Sequence, residues 1–336
     1  MEVREDIVIV GAGIAGLTTS LGLHRISTTS TISGVQTSEK SFKANGKQGD
    51  HEVRCVVRKV LLETLSNELP TGTIRFSSKV LIGCDGVNSV VGKWLGLGKV
   101  SFTGRCAIRG CTFYNKSHGF DPKFMQFFGQ GVRSGVLPCD VNSVYWFFTW
   151  TPSQQEKKSR ENDPAEMKQF VLSKLGKMPE KVKAVIEKTS LDCIMSSPLT
   201  YRNPFKLLWG NISKGNACVA GDALHPMTPD VGQGGCCALE DGIVLARCLA
   251  EALMKQSINK KSDEEEYYRI EMGLKKYAKE RKWRSFDLIT TSYIVGFFQQ
   301  SDGKLMTFIR DTCLAKFLAG LLLKKASFDC GKLKLS

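Results

Sequence analysis

The chain has 336 residues, 42% apolar and 24% charged, which excludes a fibrous or wholly disordered protein and leaves room for one large α/β domain or two ordinary ones. Its formal net charge of +14 is scattered and not gathered into an aromatic-interleaved basic stripe, so no nucleic-acid partner is expected. The twelve cysteines include no C-x-x-C pair and no apolar leader opens the sequence, so free thiols, a reducing cytoplasmic setting and no metal site are expected.

In chain order, Ile7 to Val10 is a short β-branched strand, followed by Gly11-Ala12-Gly13-Ile14-Ala15-Gly16 and a helix from Leu17 to His24. Ser27 to Asp50, rich in Ser, Thr, Gly and Lys, carries no sustained period and reads as loop. Val53 to Leu69 is helical, with Val57, Leu61, Leu62 and Leu65 on one face. Val80 to Ile82 is a second buried strand ending in Gly83-Cys84-Asp85-Gly86. Four strand-like runs follow, Ala107 to Phe113, Phe124 to Phe128, Ser134 to Leu137 and Val144 to Trp150, which predict a separate sheet. Asp163 to Glu187 reads as helix, Ala217 to Ala220 as a third buried strand, and Leu239 to Lys255 as helix. The C-terminal third is helical, with apolar runs at Leu288 to Phe298 and Leu314 to Leu323 that fall short of the roughly 18 residues a membrane span needs. Helices packed on the domain are expected there; the alternative is a basic amphipathic tail, through Lys324 and Lys325, lying on a membrane surface.

Three motifs carry chemistry. In the first, Gly11-x-Gly13-x-x-Gly16 turns a strand sharply into a helix whose N-terminal amides face a pyrophosphate. Gly11 permits the turn, Gly13 lets phosphate approach the backbone beside Ala12, and Gly16 lets helix and strand pack closely. The acidic residue expected about 20 positions on, to hold an adenosine ribose, is missing: no strand leads into Glu39. In the second, Leu81 to Ser89, an apolar strand delivers Asp85 and Gly86 to a turn where a carboxylate meets ribose or ribityl hydroxyls. An ordinary strand-end turn explains this motif equally well on its own.

The third motif, Ala217 to Gly235, is the most specific. A strand ends at Asp222, whose carboxylate accepts hydrogen bonds from a polyol. Pro226 and Pro229 stiffen the loop, and Gly232, Gly234 and Gly235 remove side chains so that a flat ring lies against backbone amides. The following helix presents its positive end to the negative edge of a reduced flavin. His225 follows the Asp and is expected to pack or cap near this loop, with a catalytic role as the sharper alternative. Cys236 and Cys237 stand at a helix start, where thiolate is favoured, but burial as small apolar residues is the expectation.

Together and in this order, the motifs resemble the class A flavoprotein monooxygenases of aromatic-hydroxylase type, most of all the plant monooxygenase 1-like, salicylate-hydroxylase-like group. Supporting marks are Glu52 to Arg58, Phe102 to Arg105, Arg133 to Cys139 and Val144 to Phe148. The resemblance implies a Rossmann-like FAD-binding domain from 1–100 and 200–285, an inserted, mostly antiparallel substrate domain over 101–199, and C-terminal helices over 286–336. It implies FAD held by the glycine loop at Gly11, Ala12, Gly13 and Gly16, by Arg58, Asp85 and Gly86, and by Asp222, Pro229, Gly232, Gly234 and Gly235. NAD(P)H would reduce the flavin, and a C4a-hydroperoxide would hydroxylate or epoxidise a small aromatic or terpenoid substrate, with no protein nucleophile.

The chain departs from the pattern. Gly92 stands where the family often has Arg, and Cys236 where it often has Asn. The second Rossmann strand, its acidic residue and the helices after it are absent between His24 and Gly34, as is a sheet between Lys79 and Val80. The chain reads as a shortened form. Loss of the ribose anchor alone removes one ion-assisted hydrogen bond, about 1.5–3 kcal/mol or about ten- to a hundredfold in affinity, so weak or absent FAD retention is expected. An impaired isoform acting as an interaction protein is the alternative function.

Overall fold

The computed structural model describes residues 7–11, 13–27, 43–46, 49–52, 58–67, 79–129, 131–153, 163–176, 178–254, 263–301 and 324–332. The three apolar runs form the core of a four-stranded sheet in the order β1-β4-β11-β10. Strands β1 (Ile7–Val10), β4 (Val80–Gly83) and β11 (Ala217–Val219) are parallel, and β10 (Ser213–Lys214) pairs antiparallel with β11. Such strands carry side chains into packed layers on both faces, which is why they are continuous apolar runs and not alternating ones. Their core includes Val80, Ile82, Val219, Leu245, Leu249 and Leu274. It is closed by α1 (Ile14–Ser27), α7 (Gly234–Met254) and α8 (Asp263–Gln300). The buried Tyr277 of α8 donates its hydroxyl to the Val219 carbonyl at 3.0 Å, so α8 is bolted to β11. Among the described residues β1 pairs only with β4 and is the sheet edge. Residues 28–42, which hold most of the stretch where a second Rossmann strand is missing from the sequence, lie outside the described residues.

The inserted unit is a five-stranded antiparallel sheet in the order β6-β7-β8-β5-β9. Its strands are β5 (Ser101–Phe113), β6 (Met125–Gly129), β7 (Val132–Pro138), β8 (Ser143–Trp150) and β9 (Ile194–Tyr201). Alternation sorts its residues. Ile108, Val136, Val144, Trp146 and Phe148 point to one face and pack under α4 (Pro164–Lys174) and α5 (Glu180–Lys188). The buried indole N–H of Trp146 finds Thr189 Oγ1 at 2.8 Å. The parallel core, the inserted antiparallel sheet and the helical C-terminal part make up the expected α/β architecture.

Several local expectations change, and one runs beyond the described residues. The stretch expected to be loop includes a hairpin of β2 (Lys43–Gly46) and β3 (Gly49–Glu52). The helix expected from Val53 is described as α2 (Arg58–Asn67), and 53–57 lie outside the described residues. The single helix expected over Asp163 to Glu187 is two, because Gly176 takes φ +53° and Pro179 precedes the first turn of α5. Strand β9 and the short helix α6 (Pro204–Trp209) were not expected. Helix α8 runs unbroken through 285/286, so the C-terminal boundary drawn from the sequence falls inside one helix. The apolar run Leu314 to Leu323, and with it most of the tail considered for membrane contact, lies outside the described residues.

Candidate functional site

The first glycine loop crosses β4 at close range. Gly11 takes φ +111°, and a Cβ there would lie 2.3 Å from the Cys84 carbonyl oxygen; a Cβ on Gly16 would lie 2.0 Å from the Gly11 carbonyl oxygen. Neither position tolerates a side chain, and burial pushes the Cys84 thiol packed beneath them up to about 12. A Cβ on Gly13 would meet nothing within 4 Å, so there is open space beside that residue at the N-terminal end of α1. Ala12 lies outside the described residues. Arg58 opens α2, but its side chain is outside the described residues.

Asp85 ends β4. Its Oδ1 accepts from Ser89 Oγ at 2.5 Å, and its Oδ2 from the Val90 and Val91 amides at 2.7 and 3.3 Å, so it braces the start of α3 (Val90–Trp94). Gly86 beside it takes φ +79° and faces open space.

The third motif folds as two short 3-10 turns, Gly221–Ala223 and Pro229–Val231, before α7. Asp222 is exposed, and no hydrogen bond or ion pair engages its carboxylate among the described residues. Gly232 takes the left-handed φ of +63°, reversing the chain so that Gly234 and Gly235 begin α7. An exposed, unengaged carboxylate and the positive end of a 21-residue helix thus flank one loop.

That loop is held from behind by buried charge. Asp241 Oδ2 accepts from the Gly221 amide and bonds His225 Nε2, both at 2.7 Å, and its Oδ1 accepts from Arg281 Nε at 2.6 Å. Burial disfavours the charged His225 ring, but its Cys237 and Asp241 partners outweigh this and hold it well above its usual range. Burial likewise opposes the Asp241 carboxylate, and His225 with Arg281 outweighs it and keeps the group below its usual value. His225, fully buried, is therefore a brace of the loop. His225, Cys237 and Asp241 bring their ligand-type atoms within 4.8 Å of one another, but Arg281 already supplies the positive charge, donating to Asp241 and, at 3.1 Å, to Cys237 Sγ. Cys237 is buried as expected, whereas Cys236 is exposed.

A second cluster joins the loop to the antiparallel sheet. Asp230, between Pro229 and Gly232, is buried and accepts from Arg105 Nη2 at 2.8 Å and Arg133 Nη1 at 2.6 Å. Arg105 comes from β5 and Arg133 from β7. Beyond Arg133 lies the sheet face that α4 and α5 leave uncovered. Arg133 sits over the Phe147 ring at 4.9 Å, and Phe124 and Tyr145 adjoin Phe147 at 6.1 and 6.5 Å. Two guanidinium groups against one carboxylate leave an excess positive charge, and Arg133 Nε, buried, has no hydrogen-bond partner. Burial lowers the Arg133 pKa from its ordinary value. The three charged residues were not singled out as site residues in the sequence. Arg105 and Arg133 stand in stretches that support the resemblance, but their partner is about a hundred residues away.

The chain matches the FAD binding domain family over residues 31–269. It is 46% identical to Monooxygenase 2 of Arabidopsis thaliana, covering 98% of each chain, and 30% identical to Monooxygenase 1 of the same plant, covering 97% and 99%. The first alignment runs over 403 residues, more than the 336 of this chain, so that relative carries interior residues without a counterpart here. The fold is similar to that of Klebsiella pneumoniae HpxO in complex with FAD and uric acid, with a TM-score of 0.73 at 18% identity over 96% of both chains.

Proposed function

The chain belongs to the FAD binding domain family, as a class A FAD-dependent monooxygenase, and on that premise we propose that it uses NAD(P)H and O2 to hydroxylate or epoxidise a small aromatic substrate held on the open face of the antiparallel sheet. The observation that supports this most is Asp230: one buried carboxylate, two residues from Gly232, grips arginines from two strands of that sheet. It ties the loop fitted to a flavin ring to an aromatic surface fitted to a substrate.

The residues present fit FAD at its flavin and pyrophosphate ends. The open side of Gly13 and the amides of α1 would hold the pyrophosphate, Asp222 the ribityl hydroxyls, and Gly232 to Gly235 the ring. Bound FAD would supply the redox chemistry, with NAD(P)H as the two-electron reductant, one oxygen atom of O2 entering the product and the other leaving as water. The protein orients and screens. The start of α7 favours negative charge on the ring edge. Phe147, Tyr145 and Phe124 offer aromatic faces for stacking a planar substrate. The excess charge of Arg105 and Arg133 favours an aromatic acid or phenolate; a neutral terpenoid would leave it uncompensated.

The test is substrate-stimulated NAD(P)H oxidation by the FAD-reconstituted protein, comparing hydroxybenzoates with the matching hydroxybenzamides. The acids should stimulate and the amides should not, with isotopic oxygen from O2 appearing in product. Absence of flavin reduction with every substrate counts against the proposal. A second reading, an isoform impaired in FAD retention, is favoured by the position of β1 as the sheet edge among the described residues. A protease-resistant fold that takes up no FAD supports it.

A further inference from the structure

We propose that the protein docks on an anionic membrane surface through an aromatic, lysine-bordered face built by α3, α6 and the middle of α8. This surface is separate from the flavin loop, and the inference stands or falls independently of the flavin reading.

Tryptophan in a folded domain ordinarily buries most of its ring, as Trp146 does here. Trp94, Trp209 and Trp283 are instead 60%, 80% and 64% exposed, and Phe205 is 59% exposed. They are not scattered. Phe205 and Trp209 stand one turn apart on α6 and so share its outer side. Phe205 meets Phe286 edge-on at 5.7 Å, and Phe286 meets Trp283 at 5.6 Å, which joins α6 to α8. Leu97 lies against Gly210 and the Lys206 stem against Gly98, which brings the end of α3, with Trp94, to the same region.

Cations border the rings. Lys93, Lys206, Lys214 and Lys279 are exposed, and the Lys214 ammonium lies 5.6 Å from the Trp94 ring centre. Lys282 donates to the Leu208 carbonyl at 2.7 Å. Asp287, the acid beside Phe286, is paired with Lys325 and adds no free negative charge. Exposed indole rings with flanking lysines match the headgroup level of a bilayer, where the rings find an amphipathic layer and the lysines find anionic lipid. A second copy of the chain fits less well, because a two-fold contact through this face would set lysines against lysines. No described helix is long and apolar enough to cross a membrane, so the contact proposed is peripheral.

Purified full chain is sedimented with sucrose-loaded vesicles of phosphatidylcholine alone and of phosphatidylcholine with one quarter phosphatidylglycerol. Binding to the anionic vesicles only, falling as salt rises, is expected. The double variant Trp209→Ser/Trp283→Ser should weaken it at least tenfold, and Lys206→Glu and Lys214→Glu by about fivefold each. All four side chains are exposed, so an unchanged melting temperature and circular dichroism spectrum verify folding. Three results overturn the proposal: no pelleting with anionic vesicles, pelleting that the tryptophan double variant leaves unchanged, or a dimer in sedimentation velocity that the same variant dissolves.

Discussion

Replacing Asp241 by Asn keeps the shape of the side chain and removes its charge. The carboxylate is fully buried and accepts three bonds, from Gly221 N at 2.7 Å, His225 Nε2 at 2.7 Å and Arg281 Nε at 2.6 Å. An amide keeps one oxygen and turns an NH2 toward a donor. Breaking one side of a buried ion pair costs about 3–5 kcal/mol. Glu240, 2.9 Å from Arg281, retains part of the compensation, which places the loss near the lower end. At ~2.1 cal/mol/K of unfolding entropy per residue, a loss of about 3 kcal/mol lowers the melting temperature of a chain this long by roughly 4 °C. The pH profile gives a second readout. The depressed Asp241 carboxylate contributes stability that is present above its unfolded value and lost as pH falls through the folded one. The raised His225 contributes stability that is present below its unfolded value and lost as pH rises through the folded one. Asp241→Asn should flatten the acid limb and shrink the alkaline one, as followed by calorimetry from pH 3 to 9. A variant that melts within 1 °C of the parent with both limbs intact would refute the bracing role.

Gly16→Val places a side chain where even a Cβ would lie 2.0 Å from the Gly11 carbonyl oxygen, so the glycine loop cannot close on α1 and FAD binding, read by titration, should be lost. Gly296→Ala is expected to push α8 off the ion cluster, since its Cβ would fall 2.1 Å from Asp230 Oδ2; the outcome is about 1–3 kcal/mol of lost stability and weaker substrate stimulation with FAD affinity retained. Trp146→Phe removes the bond to Thr189 inside the second core and should cost about 1–2 kcal/mol by denaturant unfolding, leaving flavin binding unchanged.

The parallel core was legible because fully buried strands are short apolar runs, and Ile7–Val10, Val80–Gly83 and Ala217–Val219 end in glycine turns. The loop from Asp222 to Gly235 was legible because its chemistry is local: carboxylate, prolines, glycines and helix start lie within fourteen consecutive residues. Strand β9 was not. Its sequence, Ile194-Met195-Ser196-Ser197-Pro198-Leu199-Thr200-Tyr201, has a central proline and weak alternation, and it is specified by pairing with β5 some ninety residues earlier. The same holds for the hairpin at 43–52, whose residues are polar and Gly-flanked. The Asp230 cluster was hidden for a related reason. Arg105 and Arg133 show no local period or motif that names a partner, and only the folded sheet brings them to one carboxylate. His225 was correctly expected to pack near the cofactor loop, but its partner Asp241, two turns into α7, was not foreseen.

Titration of the purified chain with FAD, followed by the visible spectrum and flavin fluorescence, bears most directly on the loop from Gly221 to Gly235 as the flavin seat. Saturable one-to-one binding with a bound-flavin spectrum is expected, weakened about ten- to a hundredfold by Asp222→Ala, the range of one lost charge-assisted bond. No saturable binding, or binding that Asp222→Ala leaves unchanged, would contradict it.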